Sequence, residues 1–136
     1  MSSFEYFDRA NEKGYDKFTQ IASNLAQVAK MPKDLRDDLY VFFLTHSEDS
    51  TDINGNRRVK AKTIGKMIDN ALTLEGLFSI VLFGKVKKTE DDTLEYVFET
   101  KNNGENTCKL PMGMFEDNNI PNDLSYVRDC IVKYEE

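Results

Sequence analysis

Six consecutive apolar residues, Leu-Tyr-Val-Phe-Phe-Leu at 39–44, constrain this chain more than any other feature. A strand with one wet face alternates apolar and polar residues, because successive side chains point to opposite faces. This run does not alternate, and it mixes aromatic and β-branched types. It therefore reads as a fully buried strand, of the kind found inside a parallel sheet covered on both faces. At six residues it is far below the roughly 20 that a membrane helix needs. The stretch at 80–83 is shorter still, so no bilayer span is expected. Met-Ser-Ser-Phe at the start carries neither a basic nor an apolar leader segment. A cytoplasmic chain is the expectation.

Around that run the periodicity supplies elements. Phe18, Ile21, Ala22, Leu25, Val28 and Ala29 recur at helical spacing, predicting a helix over 15–30 that Pro32 and the polar residues after it end. A shorter helix at 3–12 is separated from it by Gly14. A polar loop over 45–56 contains the turn signal Asn54-Gly55. A helix follows over 62–71, with Ile64, Met67, Ile68 and Ala71 on one face, and then an apolar strand over 77–86. Strand, helix, strand predicts one right-handed βαβ unit. The polar residues 87–93 form a hairpin loop leading into a strand over 94–100. There Leu94, Tyr96 and Phe98 alternate with Glu95, Val97 and Glu99, which suits an edge strand with one solvated face. A last helix over 123–134 turns Leu124, Val127, Ile131 and Tyr134 inward, with Asn122 as its N-cap. The expectation is α/β: a short mixed sheet of about three strands, with one βαβ unit and an antiparallel hairpin, packed by about three helices. With 136 residues, one domain over 1–136 is expected.

Charge and motifs narrow the chemistry. The 18 Lys and Arg against 24 Asp and Glu give a net charge of −6, which argues against a dedicated duplex binder. The basic run Arg57, Arg58, Lys60, Lys62 and Lys66 reads as a solvated loop and helix start. Cys108 and Cys130 lie 22 apart with one histidine, His46, in the whole chain. They make no recognisable zinc site and read as buried thiols. No phosphate loop is present: Gly65-Lys66-Met67 and Gly84-Lys85-Val86 both lack the upstream glycine and the following hydroxyl residue. Glu48, Asp49, Asp52, Asp91 and Asp92 match no EF-hand spacing and read as solvated charge. Neither metal nor cofactor is expected. Thr45 and His46, at the end of the buried run, are either a ligand site beyond a strand's carboxyl end or part of a surface loop. Lys62, Thr63 and Lys66 could offer a helix N-terminus to an anion, against a plain solvated helix start.

Several stretches together resemble the part that follows the Walker-B strand in phage-encoded RecA-like ATPases of the P-loop AAA family. They include Phe4 to Ala10, Gly14 to Phe18, Tyr40 to His46, Lys62 to Asp69, Leu72 to Phe78, Phe98 to Gly104 and Lys109 to Phe115. The resemblance covers nearly the whole chain and implies a partial RecA-like core lacking Walker A and Walker B. It implies that Thr45 and His46 match the sensor near the γ-phosphate. Lys62, Thr63 and Lys66 match the region after a DNA-facing loop, and Lys109 with Pro111 matches a Lys-x-Pro near a nucleotide or neighbouring subunit. Without the phosphate lysine and the metal-holding carboxylate, no catalysis is expected, and ATP with Mg would enter only if a partner supplied the missing half. Two roles follow: half of a split enzyme of phage DNA replication or recombination, or an anti-defence, anti-CRISPR-type inhibitor that binds a host protein. Both imply a protein partner in the host cytoplasm, with a homodimer as a further outcome, weak or no nucleic-acid binding and no membrane.

Overall fold

The computed structural model describes residues 16–63 and 74–136. The element order is helix α1 (Asp16–Lys30), a 3₁₀ turn (Met31–Asp34), β1 (Ser47–Thr51), β2 (Arg57–Ala61), a 3₁₀ turn (Leu74–Leu77), β3 (Phe83–Lys88), β4 (Leu94–Glu99), β5 (Asn119–Pro121) and α2 (Leu124–Glu135). The chain is mixed α/β, with one two-stranded sheet, β1-β2, and one three-stranded sheet in the order β3-β4-β5. The expected helices at 3–12 and 62–71 fall on or largely within residues outside this description, as does Lys66.

Two compact units emerge. One holds the described residues up to Glu48 and those from Ala61 to Leu77; the other holds Asp49–Lys60 and Phe78–Glu136. In the first, α1 buries the face its periodicity predicts. Ile21, Ala22 and Ala29 are buried, and Leu25 packs on the first two. Leu74, in the second 3₁₀ turn, is buried too. Pro32 stands inside the 3₁₀ turn that ends the helix: it lacks a backbone N–H, and its carbonyl accepts from Leu35 N at 3.3 Å.

Residues 39–44 differ from the expectation. They form no strand, and all six are exposed: Leu39, Tyr40, Val41, Phe42 and Phe43 at 38–41% and Leu44 at 82%. The physical reason is that a fully buried strand needs a sheet neighbour and full cover on both faces, and the described residues supply no strand neighbour and only partial cover. The βαβ unit thus loses its first strand. Both pairings of the larger sheet are antiparallel.

In the second unit the β3–β4 hairpin forms as its turn residues demand. Thr89 N donates to Thr93 O at 2.9 Å, and Asp92 sits in the left-handed region at φ 65°. The register pairs Gly84 with Phe98, Val86 with Tyr96 and Lys88 with Leu94. One end of that face joins the core of Phe115, Ile120 and Val127, which Leu82, Phe98, Leu110, Met114, Cys130 and Ile131 complete. The other end is uncovered, and Leu94 and Tyr96 are each 64% exposed. The opposite, charged face holds the buried Val97. So the alternation of 94–99 is real, but the expected assignment of an inner and an outer face fails at three of its residues. Helix α2 starts one residue later than expected. Its N-cap is Asp123 and not Asn122: the Asp123 carboxylate accepts from Ser125 N at 2.7 Å. Tyr134 points outward, its hydroxyl donating to Met112 O at 3.0 Å.

Candidate functional site

The residues expected to carry a ligand site separate into two groups and an outlier. Thr45 and His46 precede β1, and Lys62 and Thr63 follow β2. Closing the hairpin brings them together: Lys62 N donates to His46 O at 2.7 Å. Next to them, Ala61 N donates to the Glu75 carboxylate at 2.7 Å. Thr45, His46 and Lys62 are exposed, and Thr63 is half-buried. The neighbourhood is real, but its frame is the open end of an antiparallel hairpin. The carboxyl end of a parallel strand, which a γ-phosphate sensor requires, is not formed here. Lys109 belongs to the other unit, where its backbone pairs with Val81 at 2.6 and 3.0 Å.

The two arginines of the basic run meet acids of their own hairpin. The Arg57 guanidinium donates to both Asp49 oxygens, at 3.0 and 3.3 Å, and Arg58 lies 3.9 Å from Asp52. Asp52 is itself a turn-former. It accepts from Asn54 N at 2.8 Å, Asn56 N at 2.9 Å and Asn56 Nδ2 at 3.1 Å. Those hydrogen bonds from Asn56, more than the Arg58 charge, hold its carboxyl below the usual range. The Asp49 and Asp52 carboxylates of this hairpin thus engage its own arginines and turn amides.

A polar cluster that sequence reasoning missed lies on the charged face of β3–β4. Lys85 and Glu99, diagonal neighbours in the register, form an ion pair. Asn106, almost fully buried, donates from Nδ2 to the other Glu99 oxygen at 2.9 Å, and its Oδ1 accepts from Cys108 N at 3.1 Å. The Cys108 thiol donates to Glu99 O at 3.2 Å. This network folds the loop after β4 back onto β4. Burial pushes the Cys108 thiol up to about 11. A nucleophilic cysteine must ionise near neutral pH, so this thiol is a structural group. Cys130 is half-buried and also free. Among the described residues, no cluster of three or more His, Cys, Asp or Glu side chains could hold a metal ion, and no helix is long and apolar enough to cross a membrane.

What the geometry leaves open to another molecule is apolar: residues 39–44 in one unit, and Val86, Leu94 and Tyr96 in the other. Set against protein-family models, curated proteins and solved structures, the chain finds no match in any of the three.

Proposed function

We propose that this chain works by binding another protein and performs no chemistry of its own. The observation that carries the reading is the exposed run at 39–44. Three aromatic side chains of roughly 200 Å² each, about two-fifths open, with Leu39, Val41 and Leu44 leave about 500 Å² of apolar surface. Exposed apolar surface of that extent matches the largest patch of a typical monomer, and such patches are often functional. At about 25 cal/mol per Å², covering it is worth about 12 kcal/mol, enough to offset the lower range of association costs. The resemblance to the C-terminal half of a phage RecA-like ATPase suggests two settings, a split-enzyme half and an anti-defence inhibitor, and both act through protein contact.

The test uses the purified chain as bait beside a Leu44→Lys variant, with nucleotide turnover measured on the same samples. The expected result is a stoichiometric protein partner bound by the wild type and lost by the variant, with no turnover by the chain alone. Hydrolysis by the chain alone, abolished by His46→Ala or Lys62→Ala, would overturn the reading.

A further inference from the structure

We propose that the strip formed by residues 39–44 is closed by the same strip of a second copy, making a symmetric homodimer. This rests on the protein-binding reading and names its partner. In a two-fold contact each patch meets itself, so a patch bearing one sign of charge would repel its copy. Residues 39–44 bear no charge at all. Of the acids that precede the run, Asp38 is paired within its own chain, with Arg36 at 2.9 Å.

Exposure supports the same occupant. Five of the six side chains are open to a nearly equal degree, 38–41%. Each is thus partly covered by its own chain, and every member of the run keeps some surface open to a partner. Two such strips of about 500 Å² bury about 1,000 Å² together, the lower limit for a specific interface. Tyr40, Phe42 and Phe43 place aromatic anchors, which dominate interface energetics, in the interior of the strip. The charge of −6 on each copy opposes approach at long range. Salt therefore tightens this dimer, whereas it weakens a contact with a basic partner.

Sedimentation velocity on the full chain tests this, from about 1 to about 200 µM, a range that spans the dissociation constants of weak to moderate interfaces. The expected result is a monomer–dimer equilibrium that tightens severalfold between about 20 and about 500 mM salt, as the Debye length falls from about 20 Å to about 4 Å. Leu44→Lys removes the most exposed member of the strip and cannot breach a core, so its far-UV spectrum stays native while dimerisation weakens at least about tenfold. Leu94→Lys, in the other unit, leaves the dimer unchanged. A monomer throughout the range, a dimer indifferent to Leu44→Lys, or a dimer that salt dissociates would each overturn the proposal. A monomer that still captures a different protein through 39–44 would end the dimer and keep the protein-binding reading. Substrate turnover by the chain alone would end that reading whatever its mass.

Discussion

Asn106 is where a single atom change has the largest consequence that can be worked out beforehand. Its side chain is 3% exposed and joins two groups: Glu99 Oε2, 2.9 Å from Nδ2, and the backbone N–H of Cys108, 3.1 Å from Oδ1. Asn106→Ala removes both contacts. A buried N–H left without an acceptor costs about 1–3 kcal/mol, and a lost hydrogen bond to a charged group about 1.5–3 kcal/mol, with overlap between the two. About 3 kcal/mol is expected, or roughly 15 °C in melting temperature for a unit of this size. Asn106→Asp has nearly the same shape and retains the acceptor for Cys108. It replaces the donor by a second carboxylate against Glu99, with only Lys85 beside them as compensation. Two carboxylates at that distance cannot both ionise cheaply, so the folded state holds a proton more tightly than the unfolded chain does. The sign follows from linkage. A carboxyl whose folded pKa is raised contributes its full share of stability below the unfolded value of about 4 and loses it as pH rises through the folded value. The deficit of Asn106→Asp is therefore largest at pH 7 and shrinks toward pH 4. Urea melts of the three proteins at several pH values measure both. An Asn106→Asp deficit that does not vary with pH, or an Asn106→Ala cost below about 1 kcal/mol, would refute the bridging role of Asn106.

Four further outcomes follow from the same unit. At pH 8 a maleimide labels Cys130 first and leaves Cys108 intact until denaturant is added, because the buried thiol ionises only near 11. For the same reason the contribution of Cys108 to stability is complete below its unfolded value of 9.0 and falls between pH 9 and pH 11, by at most about 2 kcal/mol; Cys108→Ala removes that slope in chemical melts. Gly55, at φ +84° with open space where a Cβ would stand, loses about 1 kcal/mol on replacement by alanine, through backbone conformation alone. Gly84→Ala, whose Cβ would meet Asn122 Nδ2 at 3.5 Å and the Phe98 ring at 3.7 Å, is tolerated, since negative-φ glycine gives up unfolded-state entropy without a clash. Thermal melts of the two variants separate these effects.

Local signals were read well where the physics was local. The face of α1 follows from its 3.6-residue period, and the β3–β4 hairpin from a polar turn between two strand-like runs. The charge neutralisation of Arg57 and Arg58 was not legible, because the β1–β2 hairpin lay hidden in a segment read as loop. Once Asn54-Gly55 is seen as the tip of a hairpin, Asp49 and Arg57 face each other across it. Long-range cover was not legible at all. The alternation of 94–99 names two faces, and nothing in it says that α2 covers only the Phe98 end, or that Asn106 pulls a loop over the face of Val97. Of the ligand residues drawn from the resemblance, Thr45 and His46 lie beside Lys62 and Thr63 at the mouth of a hairpin, and the sheets among the described residues are β1-β2 and β3-β4-β5.

The run at 39–44 shows why an apolar pattern states a need and not its solution. Uninterrupted apolar residues must lose water somewhere, and their free energy is the same whether a strand of their own chain or another molecule removes it. A buried central strand is the intramolecular solution, and it requires neighbours on both edges and cover on both faces. The described residues give partial cover to five of the six side chains and almost none to Leu44. The remaining demand, about 12 kcal/mol by area, is as large as the net stability margin of about 5–15 kcal/mol that a folded protein keeps. A chain that left this surface wet would carry a standing tendency to aggregate. Its acidic surplus limits random encounter but cannot by itself remove the apolar surface from water, which is the need that the proposed protein contact would meet.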